Sequence, residues 1–461
     1  MMALKDSTYK KILSIVGSKY CSQTKEDIIC YSYDAAARRN LPDAVVFPGK
    51  TSEVSDILKL ACSEGFFVIP RGSGSGMTGG SVPVMGGVVI AMTRFNRIVE
   101  IDTDNFTASV EPGVITAQFH REVEKLKLFY PPDPSSSEFS TLGGNLAECA
   151  GGPRAVKYGV TRDYVLGLEA VLPTGEVIKT GVKTAKGVVG YDLTRLLIGS
   201  EGTLGIITQI TVKLLALPES VKTMTASFPE LEKAAKTVSE IIRKGIVPRT
   251  IEFMDKESIK CVEKYLDTRI AIDAGALLII EVDGKEIEVE SSIKQLEELC
   301  ISSGAKDVRI AESKEDAALI WKARKAISPA LFIYAPDKIN EDIVVPRSKI
   351  PDMVVKINAM RNKTGLTIVS FGHAGDGNIH FNIMLDKKNK DDLKKAEAVI
   401  EELFDYTIEL GGTISGEHGI GITKAAYMTK EIGPVELGLM KKIKKLFDPK
   451  GILNPGKIFL E

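Results

Sequence analysis

The chain has one tryptophan, four histidines and six cysteines in 461 residues. The cysteines (Cys21, Cys30, Cys62, Cys149, Cys261 and Cys300) are scattered, with no Cys-x-x-Cys pair. That spacing argues against an iron–sulfur cluster or a zinc ribbon and fits reduced thiols in a cytosol. Neither sign of charge is in excess, since 60 basic and 61 acidic side chains leave a net charge of −1. Nucleic acid and an anionic membrane are therefore not expected as main partners. Apolar runs such as "GALLIIEV" (275–282) are too short to span a bilayer, so no transmembrane segment is expected. The stretch "MMALKDSTYKK" meets charge at once and has no apolar signal core, so a cytoplasmic location is expected. Internal repeats and low-complexity linkers are missing as well.

What is there fits an ordinary globular protein, with 44 % hydrophobic and 26 % charged residues. A chain this long is expected to form two or three domains. Residues 51–65, "TSEVSDILKLACSEG", read as an amphipathic helix capped by Thr51 and closed by Gly65. A buried strand "FFVIP" (66–70) and another, "GVVIAM" (87–92), flank a glycine-rich loop. "RIVEI" with "TASVE", and "VLGLEAVL" with "EVIKT", read as hairpins, and a helix is expected near 116–128. "LALPES" (215–220) looks like a boundary. Beyond it, helices near 229–244, 286–303 and 313–328 alternate with strands such as 275–282 and 366–371. Helices laid on an antiparallel sheet would fit, which makes the fold class α+β. The expected parts are a helical segment 1–40, a domain 41–218, a second domain 219–415 and a C-terminal segment 416–461. The last contains a basic amphipathic helix.

"PRGSGSGMTGG" contains Gly-x-Gly-x-x-Gly at Gly74, Gly76 and Gly79, directly after a strand. A nicotinamide-binding turn needs a helix N-terminus aimed at the pyrophosphate. The next residues, "SVPVMGG", with Pro83, Gly86 and Gly87, cannot begin a helix, so that reading fails. What remains is a run of amides able to curl around an anion. A second segment, "PPDPSSSEFSTLGGNLAECAGGPRAVKYG" (131–159), has no apolar periodicity, and a loop of that length is usually functional or disordered. Its Thr141, Gly143, Gly144 and Asn145 offer further donors, and a third segment, "GSEGTLGIIT" (199–208), runs into a strand.

Three of the four histidines sit in two glycine-rich patches, "FGHAGDGNIH" (371–380) and "SGEHGIG" (415–421). Asp376-Gly377 between alternating runs signals a two-residue hairpin turn. That register sets His373 opposite His380, close enough to share one metal ion, with Asn382 on the same face. A metal needs a further ligand, for which Glu417 is the leading candidate and Asp376 the rival. His418, in a loop loosened by Gly416, Gly419 and Gly421, then turns toward a substrate as acid/base.

These stretches, with "PDAVVFPGKTSEV" (42–54) and "NPGKI" (454–458), resemble the FAD-binding fold of the vanillyl-alcohol oxidase type. Within it the chain resembles the family of D-lactate dehydrogenase, D-2-hydroxyglutarate dehydrogenase and the glycolate oxidase D-subunit. The resemblance runs from about residue 25 to 458. It implies a two-part FAD-binding domain and a substrate (cap) domain with helices on an antiparallel sheet. It also implies that the loop Arg71, Gly72, Ser73, Gly74, Ser75, Gly76, Met77 and Thr78, with Thr141, Gly143, Gly144 and Asn145, holds the FAD diphosphate. By the same resemblance Pro132, Asp133, Cys149, Ala150, Gly202, Ile206 and Ile207 line the flavin, and Asn454 joins them from the terminal motif. The family usually has Asn where Cys149 stands, so that polar contact is not expected here. Some relatives of the fold tether flavin through a His in the first loop, and this loop has none, so FAD is expected to be non-covalent. His-x-Gly-Asp-Gly-Asn-x-His with Glu-His resembles the family's metal and catalytic signature: His373, His380 and Glu417 as ligands and His418 as acid/base. Family position implies that Arg324, one helical turn before Ser328, grips a substrate carboxylate, with Lys338 and Asn382 nearby.

The activity so implied is FAD-dependent oxidation of a D-2-hydroxy acid, D-lactate or glycolate foremost, to the 2-oxo acid. One divalent metal is expected, zinc first, with manganese and iron as alternatives. No group on the chain can relay electrons onward. An external acceptor is therefore expected: an electron-transfer flavoprotein, an iron–sulfur subunit, a quinone or a cytochrome. A homodimer or a hetero-complex would both be compatible. The competing readings are a zinc hydrolase, a non-redox flavoenzyme like alkyl-glycerone-phosphate synthase, and a flavin subunit without chemistry.

Overall fold

Val54, Ser55, Ile57, Leu58 and Ala61 repeat at helical spacing, and all five are buried on one side of the helix Thr51–Glu64. Gly65 ends it in the left-handed conformation that a residue without a Cβ adopts at little cost. The expected cap does not form. Lys50 occupies the N-cap, Thr51 lies inside the first turn, and its hydroxyl donates to Glu169 instead (2.8 Å). The Glu53 carboxylate takes the Gly49 amide (2.7 Å) ahead of the helix. The structure, a computed structural model, describes residues 4–36, 38–266 and 273–460. The first three residues of the N-terminal stretch lie outside that range.

The chain divides into two compact units. The first comprises Met1–Ala150, Val160–Leu217 and Glu417–Glu461. It contains a four-stranded sheet in the order Cys21–Ser22, Ala44–Val46, Val88–Ala91, Val68–Arg71. Its last three strands are parallel neighbours. Parallel strands are buried on both faces and read as continuous apolar runs, which is why "VVIA" is buried throughout. The helices Asp6–Val16 and Thr51–Glu64 pack Ile12, Val16, Ile57 and Leu58 against this sheet. A five-stranded antiparallel sheet follows, in the order Ile98–Asp102, Thr107–Val110, Ile206–Lys213, Val165–Val171, Val177–Gly181. Both expected hairpins are present in it.

The segment 131–159 is not one long loop. Thr141 caps the helix Leu142–Glu148 by accepting the Gly144 amide (3.2 Å), and Ala155–Tyr158 forms one further turn. The glycines that hid this helix are there for close approach: a Cβ on Gly143 would lie 2.5 Å from Cβ of Pro112. Glycine thus lets the first turn sit against the Pro112 backbone.

The second unit comprises Gly151–Gly159 and Pro218–Gly416. Its seven strands run, edge to edge, Asp307–Ile310, Ser220–Phe228, Ala276–Gly284, Thr250–Asp255, Thr367–His373, Asn378–Leu385, Asp337–Val344. Every neighbouring pair is antiparallel. The strands alternate, so Ile251, Phe253, Ile379, Phe381 and Ile383 go to one buried face. Helices Leu231–Arg243 and Ile350–Thr364 carry the apolar stripes typical of a sheet cover. The opposite face carries Met254, Ile279, Val369, Phe371 and Met384, in one apolar cluster with residues of Lys256–Leu266, Lys314–Lys325 and Ile327–Ala330. No helix among the described residues is long and apolar enough to cross a membrane.

Candidate active site

In the first unit the strand Val68–Arg71 opens into a loop that holds no helix before the next strand begins at Val88. Among the described residues, none of the amides from Ser73 to Met77 donates a hydrogen bond. A half-buried run of unspent N–H groups is what an anionic diphosphate requires. Arg71 is turned away from this role: its buried guanidinium donates to the Tyr33 carbonyl (2.7 Å) and to Ser81 Oγ (3.2 Å), bracing the loop base. The Ser73 hydroxyl donates to the Phe139 carbonyl, and Thr141 packs so closely on Gly72 that no side chain fits there. Three non-glycine residues adopt the left-handed conformation here, Cys149, Glu201 and Asn454, and such strain gathers where structure over-determines a site. Asn454 donates to the carbonyls of Gly80 (2.9 Å) and Glu201 (2.8 Å), tying the terminal "NPG" to both glycine segments. Pro132 carries its carbonyl 2.9 Å from His120 Nε2, and Asp133 and Ala150 are half-buried. Gly202 is left-handed with Pro70 against it, and Ile206 and Ile207 are buried.

The loop bearing His418 is fastened in the same unit. Thr78 Oγ1 donates to the His418 carbonyl (3.1 Å), and the Glu201 carboxylate accepts the amides of Ile420 and Gly421, each at 2.7 Å. Gly421 is left-handed, and a Cβ there would run into the Thr78 carbonyl. Glu201 and Glu148, neither singled out by sequence, are the acidic groups of this corner. Burial, with the negative charges of Glu201 and Asp34, pushes the Glu148 carboxyl well above the ordinary 4.5. Glu148 Oε2 is shut off from solvent and has no hydrogen-bond partner among the described residues. Burial also raises Glu201, against its two amide donors, and pulls Lys457 down to about 8.

A folded-state carboxyl raised in this way holds its proton while the unfolded chain releases it. Its stabilising effect is full below the ordinary carboxylate range and is lost as pH rises through the raised value. Glu148→Gln, which mimics the protonated form, should therefore melt within a degree of wild type near pH 4.5. At pH 8 it should melt a few degrees higher. Scanning calorimetry at the two pH values checks this, and an equal difference at both would refute it.

In the second unit the turn between the two histidine-bearing strands is longer than expected. Phe371 pairs with His380, not His373, and Ala374–Gly377 forms a four-residue connection. Asp376 lies in that turn and accepts the Asn378 amide (3.2 Å). Because the slip is two residues, side-chain parity is kept and both imidazoles still share a face. His373 Nε2 and His380 Nε2 lie 3.4 Å apart. His373 Nδ1 contacts Glu252 Oε1 at 2.6 Å, and a carboxylate there accepts the Nδ1–H hydrogen bond, leaving Nε2 as a lone-pair donor. Two nitrogens at ~2.05 Å on a tetrahedral zinc are about 3.3 Å apart, so the spacing fits a shared ion. On the far side of His380, Nδ1 is 3.8 Å from Asp342 Oδ1, which is also held by Asn378 Nδ2 (2.6 Å).

The direct pairs Lys338–Met384, Asn340–Asn382 and Asp342–His380 put Lys338 and Asn382 on the same face. Asn382 is wholly buried, accepts from Asn340 Nδ2 (2.8 Å) and donates to the His380 carbonyl (3.3 Å). Lys338 Nζ donates to Ser328 Oγ (2.7 Å), and burial lowers its ammonium pKa. Arg324 and Ser328 do not share a helix: Lys314–Lys325 ends at Ala326 and Ile327–Ala330 is separate. Arg324 is instead fixed by Glu252, with Nε at 2.8 Å and Nη2 at 2.6 Å from Oε2, and lies over the Phe371 ring. Glu252 is completely buried. Burial pushes its carboxyl up, but His373 and Arg324 outweigh this and hold it below the ordinary range.

Glu417 and His418 follow directly on Gly416, whose amide donates to the carbonyl (3.2 Å) and the carboxylate (3.1 Å) of Asp342. Thr413 and Ser415 bridge to Val344 and Asp342 along the same edge strand.

Two family models match the chain: an FAD binding domain over residues 42–181 and an FAD linked oxidase C-terminal domain over 217–458. The chain belongs to the FAD-linked oxidase family, and the glycine-bearing segments 71–80 and 131–159 and the seven-stranded sheet fall within those matches. It is 45 % identical to the glycolate oxidase subunit GlcD of Bacillus subtilis over 98 % of this chain and 96 % of that one. It is 39 % identical to a D-lactate dehydrogenase of Anaerostipes hadrus, over 90 % and 89 % of the two chains. Among solved structures, p-cresol methylhydroxylase with substrate bound superposes with a TM-score of 0.80 at 17 % identity, covering 99 % and 97 %. An alkyldihydroxyacetonephosphate synthase gives 0.75 at 21 % identity, covering 98 % and 86 %. At such identities these two establish the fold alone.

Proposed function

We propose that this protein oxidises a small D-2-hydroxy acid, D-lactate or glycolate, to the 2-oxo acid. The reading is carried by the convergence of His373 and His380 Nε2 at 3.4 Å, on a sheet face that also carries the half-buried Lys338 and is faced by the buried, helix-borne Arg324. Likeness to a GlcD subunit and a D-lactate dehydrogenase supports it. When bound, FAD supplies a hydride acceptor at N5, and a divalent metal, zinc foremost, supplies a Lewis acid that acidifies the 2-hydroxyl. The first unit's residues 72–78 and 141–145, with Asn454, hold the dinucleotide. His373 and His380 offer the metal two nitrogens, and Glu417, which follows the Gly416 tied to Asp342, is the proposed oxygen ligand. Arg324 turns its remaining edge to the substrate carboxylate, with Lys338 adding positive charge. The His418 imidazole accepts the hydroxyl proton as the Cα–H bond breaks. Electrons then leave to an external acceptor.

Anaerobic mixing with a panel of D- and L-2-hydroxy acids tests this. The visible flavin absorption should bleach with one or more D-acids, or with achiral glycolate, and not with the L-enantiomers. A protein that stays yellow with the whole panel would favour non-redox chemistry like that of the alkyldihydroxyacetonephosphate synthase, and a colourless one would favour a hydrolase.

A further inference from the structure

Glu252 stands in the middle of the strand Thr250–Asp255, in the central part of the second unit's sheet, where a charged side chain is costly. Its side chain is fully buried and accepts from side chains, not from the sheet's backbone. Its two oxygens are divided between two groups. Oε1 contacts His373 Nδ1 at 2.6 Å, and Oε2 takes Arg324 through Nε and Nη2 at 2.8 and 2.6 Å. Direct pairing of Glu252 with His373 across the strands fixes the first contact. The guanidinium stacked over Phe371 fixes the second.

We infer that Glu252 is a positioning residue that links the metal ligand His373 to the carboxylate-gripping Arg324 through one shared side chain. The inference rests on the proposed function above. Through Oε1 the carboxylate keeps the His373 proton on Nδ1 and raises the donor strength of Nε2, the role an anionic partner plays behind a metal-bound imidazole. Through Oε2 it holds one edge of Arg324 and leaves the other edge of the guanidinium facing outward for a substrate carboxylate. Because Arg324 and His373 draw on the same negative charge, each weakens what the carboxylate gives the other. Removing the arginine should therefore strengthen the metal site, whereas removing the carboxylate should weaken both functions. A residue that merely filled space would not produce opposite signs.

The test measures zinc affinity by competition with a chromophoric chelator, alongside KM and kcat for whichever 2-hydroxy acid bleaches the flavin. Glu252→Gln should bind zinc about 10- to 100-fold more weakly. Its KM should rise at least tenfold. Arg324→Gln should raise KM by a similar factor while binding zinc as tightly as wild type or more tightly. Glu252→Asp, which keeps the charge, should recover a measurable part of the zinc affinity and so guards against simple misfolding of the Gln variant. Wild-type zinc affinity in Glu252→Gln, or equal weakening in Arg324→Gln, would overturn the link while leaving the enzyme reading intact. Failure of the wild-type protein to take up zinc, manganese or iron would overturn the link and the metal's part in the reaction, whereas failure of every 2-hydroxy acid to bleach the flavin would overturn the oxidation itself.

Discussion

His418→Ala should slow reduction of the flavin by roughly a hundred- to ten-thousandfold, the range expected for loss of a positioned general base. The loop around it explains why the loss is chemical. The His418 carbonyl is held by Thr78, and the amides of Ile420 and Gly421 by Glu201, so the anchors are backbone atoms that alanine keeps. The variant should fold and load FAD as wild type does. Stopped-flow reduction under anaerobic conditions separates this from a binding defect, because the limiting rate falls while the flavin spectrum stays unchanged. A variant that reduces its flavin at the wild-type rate would assign the proton to another group and revive the reading of a flavin subunit without chemistry.

The histidine pair shows how sequence could be right for a partly wrong reason. A two-residue turn was expected, and a four-residue turn is found, yet the imidazoles share a face because strand parity survives a slip of two. Helical parity was less forgiving. Arg324 and Ser328 are four apart, but the helix breaks at Ala326, so the spacing carried no information about their placement. The glycine loop was legible because Pro83 and the glycines around it forbid the helix that a nicotinamide site needs. The helix Leu142–Glu148 was not, because its two glycines read as a loop signal, when Gly143 answers to the closeness of Pro112. Glu252 left no trace in the sequence at all. Its partners are 72 and 121 residues away, and nothing local marks a glutamate in a strand as a hub. Glu201 was hidden in the same way, by the Ile420 and Gly421 amides brought in from the far end of the chain.

The other large effect concerns the ion. Stripping the protein with a strong chelator, or replacing His380 by alanine, should lower kcat/KM by about a thousandfold, the equivalent of about 4 kcal/mol of Lewis-acid stabilisation. Zinc added back should restore the stripped wild-type protein and leave His380→Ala inactive. The two nitrogens at 3.4 Å make the expectation specific. With no cation between them, the imidazoles must share a proton, since two lone pairs at that distance repel. Removing the ion should thus place an N–H between the two rings, with the Nε2–H of His380 donating to Nε2 of His373. Proton–nitrogen NMR of the stripped and zinc-loaded forms reads this directly. The flavin should stay bound throughout, because residues 72–78, 141–145 and 199–207 belong to one unit and the two histidines to the other. An enzyme that keeps its activity after complete removal of metal would leave Arg324, Lys338 and His418 to orient and deprotonate the substrate alone. The facing histidines would then be a hydrogen-bonded pair that serves the sheet rather than the reaction.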